Sequence, residues 1–455
     1  MRIQGEMTVD QLVAMTRKMM GKMMRTTIPT TMRSMRIPSI RMSGYALVAA
    51  VAIATLCASA QCATLTLDRA VQRALAFAPT LTSATAQSDL SAAMVREARA
   101  PLYPWLGANS EYMQAPGYSI AVTNGGLSTA LLTLNYTAYD FGHQAALARA
   151  ALYQSQAAEY GIPAARAQIV FDTTVAYYDL QRAREVEREL ESNAARMRRY
   201  VAVIQRERLT GRAIPNDLLK IETASDNAQL SLSNARSMTA RASATLGSMI
   251  GDFDRSDLDV AEVSGLPAEP GGDFARNPML LAAERTAAST RATVQAANRE
   301  RYPTVRLSAN AGWEGINPPH TFTHNAGAMY DGLVSMPIFD GGLISSHIDQ
   351  ARAKVLAADA QVRQVELDLR RRMTDAALRY RQARNQLALL ASAQSTADDA
   401  FRLTWARFLG GGTVTLLEVL DAYQQAELLR LARPDQEFAT RQAAAEGALL
   451  LGARQ

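Results

Sequence analysis

Three carboxylates stand at spacings that invite a functional reading. Glu418 and Asp421 lie at i and i+3 in the run LLEVLDA, and Asp217 lies six residues after Gly211. Residues three apart share one face of a helix, so the first two form either an ordinary solvated face or part of a charged lining. The chain has four histidines, His143, His320, His324 and His347. His320 and His324 are four apart in NPPHTFTHN, a spacing used by metal pairs on helices. That segment reads as a loop and brings no cysteine or carboxylate, which favours an exposed loop over a metal site. Asp140 and Asp340 precede glycines and read as turn residues whose side chains bond the local backbone. Gly142 and Gly342 then supply backbone conformations closed to most residues. His143 and His347 follow these turns and read as polar neighbours of the same junction. No glycine-rich phosphate loop and no nucleophile beside a base is present. The sequence therefore assigns no catalytic, cofactor-binding or metal-ligating residue.

The composition removes other classes. The 455 residues are 48% hydrophobic and 20% charged, with a formal net charge of +5. These values exclude wholesale disorder and a disulfide scaffold. Residues 1–63 hold eight basic side chains and two acidic ones. The rest of the chain has 40 basic and 41 acidic residues, a net of −1, so the basic total points to no nucleic-acid partner. The front segment has the order of an export signal: a basic stretch ending at Arg41, an apolar run from Tyr45 to Leu56, and the small residues Ala58-Ser59-Ala60. Cleavage is expected after Ala60, and residues 1–63 are assigned to the signal peptide. Met32, Met35 and Met42 are alternative starts, with residues 1–31 then an extension of the gene. Neither Cys57 nor Cys62 sits in a lipobox.

What remains is written twice. Pro79 recurs as Pro278, Tyr103-Pro104 as Tyr302-Pro303, and Arg208 as Arg407, all at an offset of 199 residues. Asp140-Phe141-Gly142 recurs as Asp340-Gly341-Gly342 at an offset of 200. The chain thus divides into a first repeat, 64–251, a Pro- and Gly-rich linker, 252–272, and a second repeat, 273–455. Each repeat holds a helix of about 24 residues ending before Tyr-Pro, two extended segments, and then a long helical hairpin. Residues 305–314 and 132–138 alternate apolar and polar, the period of a half-buried strand. The partner segments are 105–113 and 327–339, with Pro337 marking a strand end. In the second repeat the helix spans 344–408 and carries Val355, Val362, Leu369, Ala376, Ala383, Leu390 and Ala397 seven apart, a coiled-coil seam. Gly410 and Gly411 end it, and a helix over 416–451 follows. The first repeat copies this with helices near 144–208 and 216–250 broken at Gly211. Pro163 is expected in a first helical turn, and Pro434 is expected to kink or break its helix.

Four strands are too few to close a barrel, and open strand edges in hydrocarbon leave backbone groups unsatisfied. Strands of membrane barrels need about 9–11 residues, which these segments supply. An exported chain with such strands must pool them with other copies.

At this point the sequence resembles the TolC-type outer-membrane channel family. The resemblance covers 64–453 and rests on LTLDRAVQRALAFAPTL, REARAPLYPWLGANSEY, MPIFDGGL and GGGTVTLLEVLDAYQQAELL. It implies an α+β membrane protein: long coiled-coil helical hairpins and four transmembrane β-strands per chain, forming a trimeric 12-stranded β-barrel continued by an α-barrel. It implies a homotrimer in the cell outer membrane, in contact with outer membrane lipid and extending into the periplasm. Its partners would be a periplasmic adaptor (membrane fusion) protein and an inner-membrane ABC-type or RND-type transporter. The task would be type I protein secretion or small-molecule efflux, the missing lipobox leaning toward secretion. By the same resemblance Asp217, Glu418 and Asp421 match the acidic periplasmic aperture, and Gly211, Gly410 and Gly411 the hairpin turns. Pro104, Pro303, Asp140, Gly142, Asp340 and Gly342 match the barrel–tunnel junction. Gly412, Thr413 and Val414 stand where family members often carry a basic residue, which leaves the closing latch open. The rival reading is a periplasmic coiled-coil adaptor or scaffold without a membrane pore. The loops 114–126 and 316–326 would be the surface-exposed ends.

Overall fold

The computed structural model describes residues 64–116, 118, 125–253, 257–263, 265–316, 326–411 and 413–452. His320 and His324, the export segment and Gly412 lie outside the described residues. In chain order the first repeat gives α1 (Leu67–Phe77), α2 (Pro79–Arg99), β1 (Trp105–Gln114), β2 (Gly126–Tyr139), α3 (His143–Glu159), α4 (Gly161–Leu209) and α5 (Pro215–Ile250). The second gives α6 (Pro278–Arg299), β3 (Thr304–Ile316), β4 (Ala326–Ser335), α7 (Leu343–Leu409) and α8 (Leu416–Leu451). A single 3₁₀ turn, Ala100–Leu102, leads from α2 toward β1.

The repeated order stands, with three differences from the sequence reading. The first helix is broken at Ala78-Pro79, because proline at the start of α2 leaves the residue before it extended. The long helix of the first repeat is likewise two helices, separated at Tyr160, with Pro163 in the first turn of α4 where its missing N–H breaks no bond. Pro434, by contrast, does not interrupt α8, which runs unbroken through it. An internal proline costs about 3 kcal/mol. Buried side chains on both sides, Ala426 and Glu427 before it and Thr440 and Ala443 after, hold the helix through that position.

The strands form one antiparallel sheet in the order β1-β2-β3-β4. Consecutive strands pair within each repeat, and β2 with β3 joins the two repeats. β1 and β4 are therefore edges. β4 ends at Ser335, two residues before Pro337.

The helical part is a row of packed rods: α5 against α4, α4 against α8, and α8 against α7. At 1.5 Å per residue, α7 is about 100 Å long. Every position of its sevenfold seam is buried or half-buried, with Leu369, Ala376 and Ala383 fully so. Met373, Tyr380 and Phe401 interleave with them and are also buried. Small seam residues let the helix axes approach, so the long hairpin packs without bulky core layers.

The linker is not a loose tether. Val260 forms a parallel bridge with Leu65, and Leu258 and Val260 enter the core of α1, α4 and α5. Tyr177 on α4 reaches both strands, its hydroxyl 2.8 Å from Leu65 O and 2.7 Å from Ala261 O. Burial pushes the Tyr177 phenol up to about 12, so the hydroxyl keeps its proton and donates throughout the physiological range. Tyr177→Phe is expected to lower stability by about 1 kcal/mol. It should also speed proteolytic nicking of the 257–263 segment, read by thermal unfolding and limited proteolysis in detergent.

Candidate functional site

Two ends of the molecule carry the residues singled out by the sequence. At one end are the hairpin tips. α4 ends at Thr210, and Gly211 takes a positive φ of 75° that a side chain would strain. Arg212 N donates to Glu207 O at 2.9 Å to close the turn. Ile214 then starts α5, and the Asp217 carboxylate accepts its backbone N–H at 3.3 Å. In the second tip Gly410 caps α7 and Gly411 takes a φ of 77°. Thr415 caps α8: its hydroxyl accepts from Glu418 N at 3.4 Å and lies 3.2 Å from the Glu418 carboxylate. Asp217 and Glu418 are thus the third residues of their helices, where an acidic side chain meets free N–H groups and the positive end of the helix dipole. Sequence reasoning read these two as pore charges and missed the capping role. The signal for it was present as T-x-x-E in Thr415 to Glu418.

Glu418 and Asp421 are exposed on one side of α8, while Leu416, Val419 and Tyr423 are buried on the other. The tips share one hydrophobic core, in which Ala213 and Ile221 meet Leu416, Val419 and Tyr423. The fold therefore brings both tips to one place.

The tie between the hairpins lies higher. Arg196 on α4 donates to Tyr423 Oη at 3.1 Å and to Glu427 Oε2 at 2.9 Å, both on α8, and to Glu189 at 2.8 Å. Tyr423 in turn donates to Asn193 Oδ1 at 2.8 Å. Arg430 joins Glu427 at 3.0 Å and also pairs with Asp398 on α7. Glu427 is only 6% exposed, and burial raises its carboxyl above the usual range despite the two guanidinium groups. Around this network Tyr200, Phe401, Trp405 and Tyr423 pack mostly edge to face, with centroids 4.7–6.3 Å apart. No motif announced the cluster, because its members come from three helices far apart in sequence.

At the other end is the junction between strands and helices. Asp140 accepts from Gly142 N at 2.8 Å and Gln144 N at 2.7 Å. Asp340 repeats this with Gly342 N at 3.0 Å and Ile344 N at 2.7 Å. Gly142 and Gly342 have φ of 82° and 91°. Both aspartates are the turn residues expected from sequence, Asp140 leading into α3 and Asp340 into α7. Pro104 and Pro303 sit directly before β1 and β3, where the chain leaves the helical layer. Here the repeats are stitched together. Arg299 donates to Gly142 O at 2.7 Å, His143 Nδ1 lies 3.0 Å from Ala296 O, and Phe141 stacks on Tyr302 at 5.0 Å. His347 Nδ1 lies 2.8 Å from Glu300.

The strand register sorts the sheet into two unlike faces. Residues opposite each other in an antiparallel pair share a face. One face holds Leu106, Ala108, Leu132, Leu134, Tyr136, Leu307, Ala309, Ala311, Trp313 and Tyr330. The other holds Asn109, Glu111, Thr133, Asn135, Arg306, Ser308, Asn310, Glu314 and Asp331, and also the apolar Trp105, Met113, Leu131, Met329 and Leu333. The apolar face is exposed: Leu106, Leu132, Trp313 and Tyr330 are each more than half accessible. No helix among the described residues is long and apolar enough to cross a membrane.

A small antiparallel sheet with one apolar and one mixed, mainly polar face, carried on two hairpins of very long helices, is the architecture of an outer-membrane channel protein. The chain belongs to the outer membrane efflux protein family, whose model matches residues 70–252 and 274–453. The two matched stretches coincide with the two repeats. Among named relatives it is similar to Protein CyaE of Bordetella pertussis, 27% identical over 67% of this chain and 66% of that protein. It is also similar to the probable efflux pump outer membrane protein TtgC of Pseudomonas putida, 24% identical over 63% and 62%. With the outer membrane protein TolC of Escherichia coli the figures are 24% over 64% and 63%. The chain spans just under two thirds of the length of these relatives. Among solved structures, its fold is that of the outer membrane protein VceC of Vibrio cholerae, with a TM-score of 0.75 at 20% identity over 85% of this chain and 96% of that one. The CmeC outer membrane channel of Campylobacter jejuni gives 0.76 at 17% over 85% of each. The family is one of outer-membrane channels and not of enzymes.

The Asp340 carboxyl is held below its usual range, first by the Ile344 and then by the Gly342 backbone N–H. A lowered folded pKa means the turn is stabilised above the ordinary aspartate value of about 4 and loses that stabilisation as pH falls through the lower folded value. Asp340→Asn is expected to flatten the acid limb of the melting temperature against pH, measured by circular dichroism in detergent.

Proposed function

We propose that this chain is one third of a trimeric channel that carries substrates outward through the outer membrane and part of the periplasm. The observation that supports this most is the two-faced sheet with both edges open. A lone sheet of this kind would expose apolar side chains and unpaired backbone together, which water and lipid each disfavour. Three copies, the number the family resemblance implies, would supply twelve strands. Joining β4 of one copy to β1 of the next would pair every edge, turn the apolar face to lipid and leave the polar face lining the lumen. A periplasmic scaffold has no use for such a sheet.

The helices support the same assembly. Leu356, Leu367, Leu378 and Leu389 recur every eleven residues on α7 and are 56–72% exposed. They form a continuous stripe separate from the buried sevenfold seam. Leu219 and Leu230 on α5, and Leu417 and Leu428 on α8, repeat the spacing and the exposure. An eleven-residue repeat drifts only slowly, and in the right-handed sense, around a helix, so these stripes suit side-by-side packing against further helices around a tunnel. A periplasmic adaptor and an inner-membrane transporter would feed it. Two relatives are named as efflux pump components, TtgC and the antibiotic efflux pump outer membrane protein ArpC of Pseudomonas putida, which favours small-molecule efflux. Type I secretion, the reading that follows from the missing lipobox, is the alternative cargo class. Asp217, Glu418 and Asp421 are proposed to ring the periplasmic entrance, where repeated carboxylates would favour cations.

The full-length protein is expected in the outer-membrane fraction as a heat-modifiable trimer. Leu367→Asp with Leu378→Asp should leave helical content intact and abolish that species. Release of the wild type by osmotic shock would instead support a scaffold. In planar bilayers, Asp217→Asn, Glu418→Gln and Asp421→Asn together should lower the cation-to-anion permeability ratio, and an unchanged ratio would remove these residues from the entrance.

A further inference from the structure

The proline-rich end of the linker, residues 267–271, lies across the start of α4 and the end of α8. The three segments enclose a cavity of about 900 Å³. The linker is fixed there at three points. Tyr380 on α7 donates to Pro267 O at 2.6 Å, Arg381 pairs with Glu269 at 2.6 Å, and Pro270 rests on Gly447 of α8. A Cβ at Gly447 would stand 2.3 Å from that of Pro270, so α8 must be bare where the linker crosses it. The wall is therefore preformed.

α4 supplies the facing wall. Arg166, Val170, Thr174 and Tyr178 all line the cavity and recur four apart, which puts them on one helix face. Thr174 and Tyr178 are only 8% and 9% exposed, yet among the described residues neither hydroxyl has a hydrogen-bond partner. Other helical threonines (Thr223, Thr239, Thr245 and Thr374) turn their hydroxyls back to the carbonyl four residues before. Thr174 does not. Among the described residues, the partnerless polar atoms sealed from solvent are Gln156 Oε1, Gln181 Oε1 and Arg441 Nε. The Thr174 and Tyr178 hydroxyls are not among them, so both keep open surface on the space their residues line.

The charges around the cavity leave one cation free. Glu269 is committed to Arg381, and Arg441 to Val263 O and Glu437. Arg166 is exposed and, among the described residues, has neither ion pair nor hydrogen bond. At 1.5 Å per residue it stands about 12 Å along α4 from Thr174 and about 18 Å from Tyr178. Val170, Phe171 and Leu451 make the lining between these polar ends apolar.

That order of groups selects an occupant. A buried hydroxyl without a partner costs about 1–3 kcal/mol, and apolar lining gains by being covered. Water would satisfy the hydroxyls and leave the apolar wall wet. A hydrocarbon would cover the wall and strand the hydroxyls. A cation would meet Arg166 as a like charge. We infer that the cavity binds an elongated amphipathic acid of the hydroxy fatty acid class. Its carboxylate lies at Arg166, its chain along Val170 and Phe171, and its far hydroxyl on Thr174 and Tyr178. One chain builds the whole site, so its test does not depend on a pore.

The probe is ω-hydroxydodecanoate, titrated calorimetrically into the purified full-length protein in detergent, with protein-free micelles as the blank. Dodecanoate lacks the far hydroxyl and the matching diol lacks the charge. Saturable binding of the hydroxy acid is expected, with both controls at least fivefold weaker. Thr174→Val and Tyr178→Phe should each weaken the hydroxy acid about fivefold, the scale of one hydrogen bond, and leave dodecanoate unchanged. Damage to the cavity would instead weaken both ligands. Arg166→Gln should weaken both acids about tenfold and spare the diol. Absence of saturable binding overturns the proposal. So does equal affinity for dodecanoate or the diol in the wild type, equal loss of both acids in Thr174→Val and Tyr178→Phe, or unchanged affinity in Arg166→Gln.

Discussion

The two open edges of the four-stranded sheet are the constraint on which the rest of the molecule depends. β1 and β4 each present a row of backbone donors and acceptors with no strand partner among the described residues. In water such an edge invites pairing with another strand. In hydrocarbon it is intolerable, because each unsatisfied group costs several kcal/mol. The sheet is therefore half of a bargain that only further copies complete. The two-faced register follows from the same demand: one set of side chains must suit lipid and the other water, and a period of two separates them cleanly.

The helices face a similar problem along a different axis. α7 cannot bury all its apolar side chains against α6 and α8, because a rod of this length has several faces and these two leave one uncovered. Its sevenfold seam is used within the chain, and its elevenfold leucine stripe is left outside. The two repeats differ because one follows a helix that supercoils with its partner and the other a straighter path. Long helices with small buried residues give a thin wall, which is what a tunnel needs and a compact core does not.

Polar ties set how the hairpins meet. Glu427 is buried between Arg196 and Arg430, so α4, α7 and α8 are joined at one level by charges that water cannot easily replace. Removing one partner would leave a buried charge uncompensated. The tips below this level are held by apolar contact and by local caps instead. That division lets the upper region stay fixed while the tip carboxylates remain exposed.

The sequence by itself determined the order of strands and long hairpins and the turns at Asp140 and Asp340, though not the helix breaks at Ala78 and Tyr160. Offsets of 199 and 200 residues, the sevenfold seam and the Asp–Gly turns are local or periodic, and local chemistry enforces them: Asp140 and Asp340 bond the backbone two and four residues on. Sequence misjudged Pro434, because a local preference to break a helix yields to burial supplied by distant residues. It offered the T-x-x-E signal from Thr415 to Glu418, but not the backbone N–H that Asp217 accepts from Ile214. Only the tertiary structure decided the pairing of β2 with β3, the sorting of strand residues onto two faces, and the convergence of Arg196, Tyr423 and Glu427 across more than two hundred residues. These depend on register and on which helices lie side by side, and neither is fixed until the two repeats have packed together.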